Sequence, residues 1–153
     1  MNYYGSISNG YDELHGKEQL KKIKAILNNF DISRKKLLDV GCGTAFYSYL
    51  FRDYTGIDNC KEMLKKSKAN VFLGSAEKLP YADNSFEVVL SLSAVHNFKN
   101  YEKAIDEMMR VASEMVVVSL LKKSKKFDRI KEYFNPNEEI DTEIDLIMVK
   151  NIT

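Results

Sequence analysis

The chain has 153 residues, 44% of them hydrophobic and 29% charged, with a net charge of +1. That size and balance suit one domain with a substantial core. They exclude a spanning helix, because no run of about 18 apolar residues occurs, and the near-zero charge argues neither for nor against nucleic acid.

Met1 to Gly10 has neither a basic patch nor an apolar signal core, so the chain reads as cytoplasmic. Tyr3, Tyr4 and Tyr11 make this segment too aromatic for an idle tail. From Glu13 to Phe30, Leu20, Ile23, Ile26 and Leu27 recur at helical spacing and predict an amphipathic helix. A buried strand follows at 36–40 and runs into a turn with glycines at 41 and 43. A helix is expected from about Thr44 to Phe51. Tyr54 to Asp58 reads as a second strand, and Asn59 to Lys68 as a lysine-rich helix that buries Met63 and Leu64. Asn70 to Leu73 is a third strand, and Gly74 to Asn84 a loop marked by Pro80 and Asp83-Asn84.

Ser85 to Leu92 is a continuous apolar run suited to a central parallel strand. Ser93 to Lys99 forms the loop at its carboxyl end. Tyr101 to Ala112 is helical, Glu114 to Leu121 is another central strand, and Phe127 to Phe134 is a helix stopped by Asn135-Pro136. Ile140 to Ile152 supplies one or two closing strands. Strands and helices alternate, which predicts an α/β fold with a mostly parallel sheet covered on both faces.

Function concentrates at Leu37-Leu38-Asp39-Val40-Gly41-Cys42-Gly43-Thr44-Ala45. Glycines there let the backbone turn sharply and approach a ligand, and a helix starting near Thr44 would aim free N–H groups at it. Dinucleotide domains use such a turn, but they need a small residue where Phe46 stands. The carboxylate of Asp58, at the end of the second strand, suits ribose hydroxyls in either nucleotide class. Cys42 and Cys60 lack zinc-site spacing, and with His15 and His96 the only histidines no metal site is expected.

The string 37–45 resembles motif I of the class I S-adenosylmethionine-dependent methyltransferases, with Ala45 in place of its third glycine. The run from Val71 to Val89, with Ser75-Ala76-Glu77, Leu79-Pro80-Tyr81 and Ser85-Phe86, is similar to the G-D-A-E-x-L-P-F-x-D-x-S-F-D-x-V string of the type 11, menaquinone/ubiquinone C-methyltransferase-like group. The resemblance covers roughly residues 35 to 121. It implies a Rossmann-like class I methyltransferase fold with a minimal substrate cap. The single domain divides into an N-terminal lid segment and helix (1–33), a cofactor-binding core (34–121) and a C-terminal helix with closing strands (122–153).

Carried over residue by residue, the resemblance implies that Gly41, Cys42 and Gly43 pass under the methionine part of S-adenosylmethionine. Asp39 would help hold its ammonium end, and Asp58 with Asn59 its ribose. Ala76 would offer its N–H to adenine, with Ser75 or Glu77 replacing the aspartate that most relatives use there. Ser91 joins these contacts. Tyr4 to Asp12 looks like a segment that folds over the cofactor, with Tyr11 as its lid contact.

Methyl transfer from a sulfonium is an in-line displacement that gains mainly from alignment, and it needs a base only if the nucleophile sheds a proton. His96 is the one candidate base near the fourth strand's carboxyl end. Lys99 and the run from Lys122 to Lys126 are expected on the cofactor's rim, suiting RNA or another anionic acceptor. The small cap implies that a macromolecular substrate or a second protein chain completes the site. The alternatives are a non-catalytic partner protein, a methyltransferase for a small metabolite, and a nicotinamide-dependent oxidoreductase.

Overall fold

The computed structural model describes residues 9–152, with side chains from Leu14 onward. Seven strands form one sheet in the order β3-β2-β1-β4-β5-β7-β6. The strands are β1 (Lys36–Val40), β2 (Asp53–Asp58), β3 (Val71–Leu73), β4 (Phe86–Leu92), β5 (Ala112–Leu121), β6 (Glu138–Asp141) and β7 (Asp145–Asn151). The first five are parallel and the last two antiparallel. The closing residues therefore make a hairpin whose inner strand, β7, extends the sheet beyond β5.

Alternation along each strand divides the core between two faces. On one face Leu38, Val40 and Val89 pack with Ile105 and Met108 of α3 (Tyr101–Val111) and Ile130 and Phe134 of α4 (Phe127–Phe134). On the other, Leu37, Val88 and Leu90 pack against Ile23 and Ile26 of α1 (Asn9–Asn29). Asn100 caps α3 by accepting from the Lys103 N–H, and Asn135 ends α4 in the left-handed conformation at φ 51°.

Two expected helices are not there as drawn. Residues 44–51 form consecutive turns and a short 3-10 turn, Ser48–Leu50, instead of the helix expected after β1. Ala45 sits at φ 51°, which a right-handed helix does not accommodate. Tyr47 and Phe51 are then turned inward, 3% and 5% exposed. The second departure is α2, which spans only Lys61–Lys65. Lys61 and Lys65 are like charges four residues apart on it, and past its end the Ser67 hydroxyl accepts from the Ala69 N–H. Met63 and Leu64 are half-buried, not buried as expected.

Candidate functional site

The carboxyl ends of β1, β2, β3 and β4 open into one cavity of about 960 Å³. Its wall comes from residues 41–44, 58–63, 74–77, 92–94 and 97–99, closed from the side by α1 through His15, Gly16 and Gln19. A parallel sheet with right-handed crossovers makes such a crevice where strand order reverses, here between β1 and β4.

The turn after β1 is built for close approach. Gly41 and Gly43 stand at φ 79° and 58°. A Cβ on Gly41 would lie 2.7 Å from the Ala94 Cβ, so the chains following β1 and β4 touch at this glycine. The Gly41 and Cys42 N–H groups both donate to the Ile57 carbonyl, at 2.8 and 3.2 Å. Cys42 lines the cavity but is 4% exposed, and burial pushes its thiol well above the ordinary range, so it stays protonated.

Asp58 lines the cavity with both carboxylate oxygens engaged. Oδ2 accepts from the Gly43 N–H and Oδ1 from the Cys60 N–H, each at 2.8 Å. Asn59 lies beside it on the wall. Beyond β3, the Ser75 hydroxyl donates to Glu77 Oε1 at 2.9 Å and Glu77 Oε2 accepts from the Asn100 N–H at 3.0 Å. Burial works upward on Glu77, but these bonds outweigh it and hold the carboxyl below its ordinary value. Ser75, Ala76 and Glu77 all line the cavity.

Asp39, Ser91 and His96 stand elsewhere. Alternation places Asp39 on the α1 face with Leu37, fully buried and off the cavity wall. Its Oδ2 accepts from both the Tyr47 and Tyr54 hydroxyls, while Oδ1 has no partner among the described residues. Burial pushes its carboxyl up to about 6, against the two tyrosine bonds. Ser91, also fully buried and off the wall, donates to the Val40 carbonyl at 2.8 Å. His96 lies behind the wall, in the 3-10 turn Val95–Asn97, with Nδ1 buried and unpartnered among the described residues. Burial lowers its pKa, opposed by Asp145 and assisted by Lys126 and Lys22, so the ring is neutral near pH 7. The Tyr11 side chain lies outside the described residues.

The basic rim also differs from expectation. Lys99 lines the cavity, together with Lys61 and Lys66, while the run from Lys122 to Lys126 does not. Lys122 is spent on Asp141 and on the Thr142 carbonyl. Sequence reasoning misses Lys61 and Lys66 as lining residues, since a lysine-rich helix that buries Met63 and Leu64 carries no sign of which lysines face a ligand. It also missed Gln19, whose helical position put it on the face of α1 that packs.

A profile described as methyltransferase domain matches residues 38–118, which contain the glycine turn, Asp58 and the loops after β3 and β4. The chain belongs to the type 11 S-adenosylmethionine-dependent methyltransferases. Membership brings S-adenosylmethionine as the cofactor.

This methyltransferase is 29% identical to the MJ1252 protein of Methanocaldococcus jannaschii over 73% of the chain and 47% of that protein. It is 32% identical to the methyltransferase YcgJ of Bacillus subtilis over 52% of the chain and 37% of that protein. The chain thus spans half or less of the length of these relatives. Among solved structures, PH0226 of Pyrococcus horikoshii shares the fold over 100% of this chain and 99% of its own, at TM-score 0.79 and 17% identity. A chain in the complex between the Haloferax volcanii Trm112 methyltransferase activator and a methyltransferase candidate aligns at TM-score 0.76 and 15% identity, over 94% of each. A SAM-dependent methyltransferase of Aquifex aeolicus aligns at 0.71 and 19%, over 85% of this chain and 89% of its own.

Proposed function

We propose that this chain is catalytically active and moves a methyl group from S-adenosylmethionine to an anionic acceptor, with RNA the first class to test. The observation that carries the reading is the convergence of four loop ends and a lysine rim on one cavity. When bound, the cofactor supplies a methyl group on a positively charged sulfur.

The residues fit that group. Gly41 and Gly43 would run under its methionine part, Asp58 and Asn59 would meet the ribose, and Ser75, Ala76 and Glu77 the adenine. Asp58 keeps lone pairs for the ribose after accepting from the backbone, because a carboxylate has about four acceptor positions. Gln19, on the same wall, has a buried Oε1 without a partner among the described residues, an acceptor that a ligand would satisfy. Lys61, Lys66 and Lys99 supply positive charge to an anionic acceptor. His96, neutral and off the wall, reads as a support for the loop after β4 rather than as a base.

Thermal unfolding with S-adenosylmethionine, S-adenosylhomocysteine, NADH or no ligand tests the reading. A ligand at a hundredfold excess over its Kd adds about 2.7 kcal/mol and moves the midpoint by several degrees. A shift with the two S-adenosyl compounds alone is expected. A shift with NADH alone would return the chain to the oxidoreductases.

A second reading, that another protein chain completes the enzyme, has its own support. The short edge strand β3 leaves Phe72 and Leu73 50% and 58% exposed, an open edge that a partner strand could cover. On that reading the purified chain binds S-adenosylhomocysteine but turns over no acceptor. Turnover by the isolated chain removes it, and with it the alternative of a non-catalytic partner protein.

A further inference from the structure

Gln19 is 6% exposed, lines the cavity, and has an Oε1 without a hydrogen-bond partner among the described residues. A buried amide oxygen left unpaired is costly, so its survival on a cavity wall points to a donor on the occupant. Its place is fixed from both sides. Gly16, one turn earlier on α1, abuts the Phe46 ring, where an added Cβ would lie 3.6 Å away. Lys22, three residues later, donates to the Ser93 hydroxyl and pairs with Asp145 at 2.9 Å. Gln19 is therefore held where the chains leaving β1 and β4 meet α1.

The sheet order gives that place a meaning. Ser75 to Glu77 follow β3 and Ser93 follows β4, and β2 and β1 lie between. At about 4.8 Å per strand the two ends of this row are about 14 Å apart. A ligand with its adenine at the β3 end and its ribose at Asp58 runs along the row toward Gln19, so the group that arrives there is its amino-acid end.

We propose that Gln19 Oε1 accepts a hydrogen bond from the α-ammonium of S-adenosylmethionine and S-adenosylhomocysteine, and that the Lys22–Asp145–Ser93 clamp positions it. The inference rests on the cofactor reading above. Lys22 does not compete for the ligand, because its charge is already met by Asp145. An ammonium donor to an amide oxygen is a charge-assisted bond, which makes it selective for a ligand that keeps its amino-acid end.

Calorimetric titration with S-adenosylhomocysteine and with 5′-methylthioadenosine, which keeps the adenosine and thioether but lacks the amino-acid end, tests this. Gln19→Leu is expected to weaken S-adenosylhomocysteine by about tenfold or more and to leave 5′-methylthioadenosine unchanged. Its ligand-free midpoint should rise, since a buried unpaired acceptor is gone. Gln19→Asn, which withdraws the amide by one methylene, should show the same ligand-selective loss. Unchanged S-adenosylhomocysteine affinity in either folded variant, or equal loss of both ligands with the midpoint retained, overturns the proposal. A wild-type chain that binds neither compound overturns the cofactor reading itself, which those two results leave standing.

Discussion

Asp58 ties the glycine turn to the second strand: its Oδ2 accepts from the Gly43 N–H at 2.8 Å while its Oδ1 holds the Cys60 N–H at the same distance. One carboxylate at a strand end thus fixes the loops after both β1 and β2. Asp58 also lines the cavity, so the proposed ribose contact would fall on a side chain that already has this structural role.

Asp58→Ala is expected to cost more than a ligand contact. Each hydrogen bond to a charged group is worth about 1.5–3 kcal/mol, and two N–H groups lose their acceptor. S-adenosylhomocysteine affinity should fall by at least about tenfold, read by titration, and the ligand-free midpoint should drop by several degrees. Asp58→Asn, which keeps one acceptor oxygen, should lie between. An unchanged midpoint in the alanine variant would show that the turn holds without its clamp.

Asp39 makes a pH-dependent contribution of opposite sign to that of most carboxylates. Burial raises its folded value from 3.8 to about 6, so the folded chain binds this proton more tightly than the unfolded chain. Stability from this group is present below about pH 4, falls as pH rises toward 6, and is flat above. The loss is on the order of 3 kcal/mol. Asp39→Asn keeps an oxygen for Tyr47 and Tyr54 but carries no charge. Its midpoint should match wild type near pH 4 and exceed it at about pH 7.5. A difference that is constant across that range would remove the assignment.

The central strands β1, β4 and β5 are legible because each holds an apolar run, and α3 because its apolar positions recur at 104, 105, 108 and 111; β6, Glu-Glu-Ile-Asp, carries no such signal. The chain after β1 is not legible either. A strand running into a glycine turn predicts a helix from Thr44, yet the Tyr47 hydroxyl donates to the buried Asp39, a partner eight residues away on a strand. Ala45 is informative in hindsight. It stands where the motif has its third glycine, and its φ of 51° is the conformation that a glycine there would adopt freely. Asp39 shows a related limit: the motif gives its place in the string, while strand alternation sets the face on which it lies, buried and away from the residues that line the cavity.

An anionic acceptor predicts a salt-dependent signature at Lys61, Lys66 and Lys99, which line the cavity from α2, from its C-terminal cap and from the loop after β4. Each phosphate contact with a single strand contributes about −0.7 to the slope of log affinity against log salt. Replacing all three lysines by glutamine should flatten the slope for an RNA probe by up to about 2 while leaving S-adenosylhomocysteine affinity within about twofold. A triple variant with an unchanged slope would take RNA off the rim.

The Lys22–Asp145 pair couples α1 to the antiparallel end of the sheet from within the core, with side chains 8% and 4% exposed. Removing one partner of such a pair costs about 3–5 kcal/mol, because the other charge stays buried. Lys22→Met should therefore lower the midpoint by on the order of 10 °C, and Lys22→Met combined with Asp145→Leu should recover most of it. The loss should also depend on pH through His96, which faces Asp145, Lys126 and Lys22 and whose buried imidazole is held below its ordinary pKa. Without Lys22 a repelling charge is gone and the Asp145 attraction is unopposed from that side, so the folded pKa of His96 rises relative to wild type. A histidine held below its unfolded value of about 6.5 costs stability as pH falls through that value, and a less depressed one costs less. The deficit of Lys22→Met should be smaller at about pH 5.5 than at about pH 8, and Lys22→Met with His96→Gln should abolish that difference. An equal deficit at both pH values would show that His96 does not share the Asp145 charge.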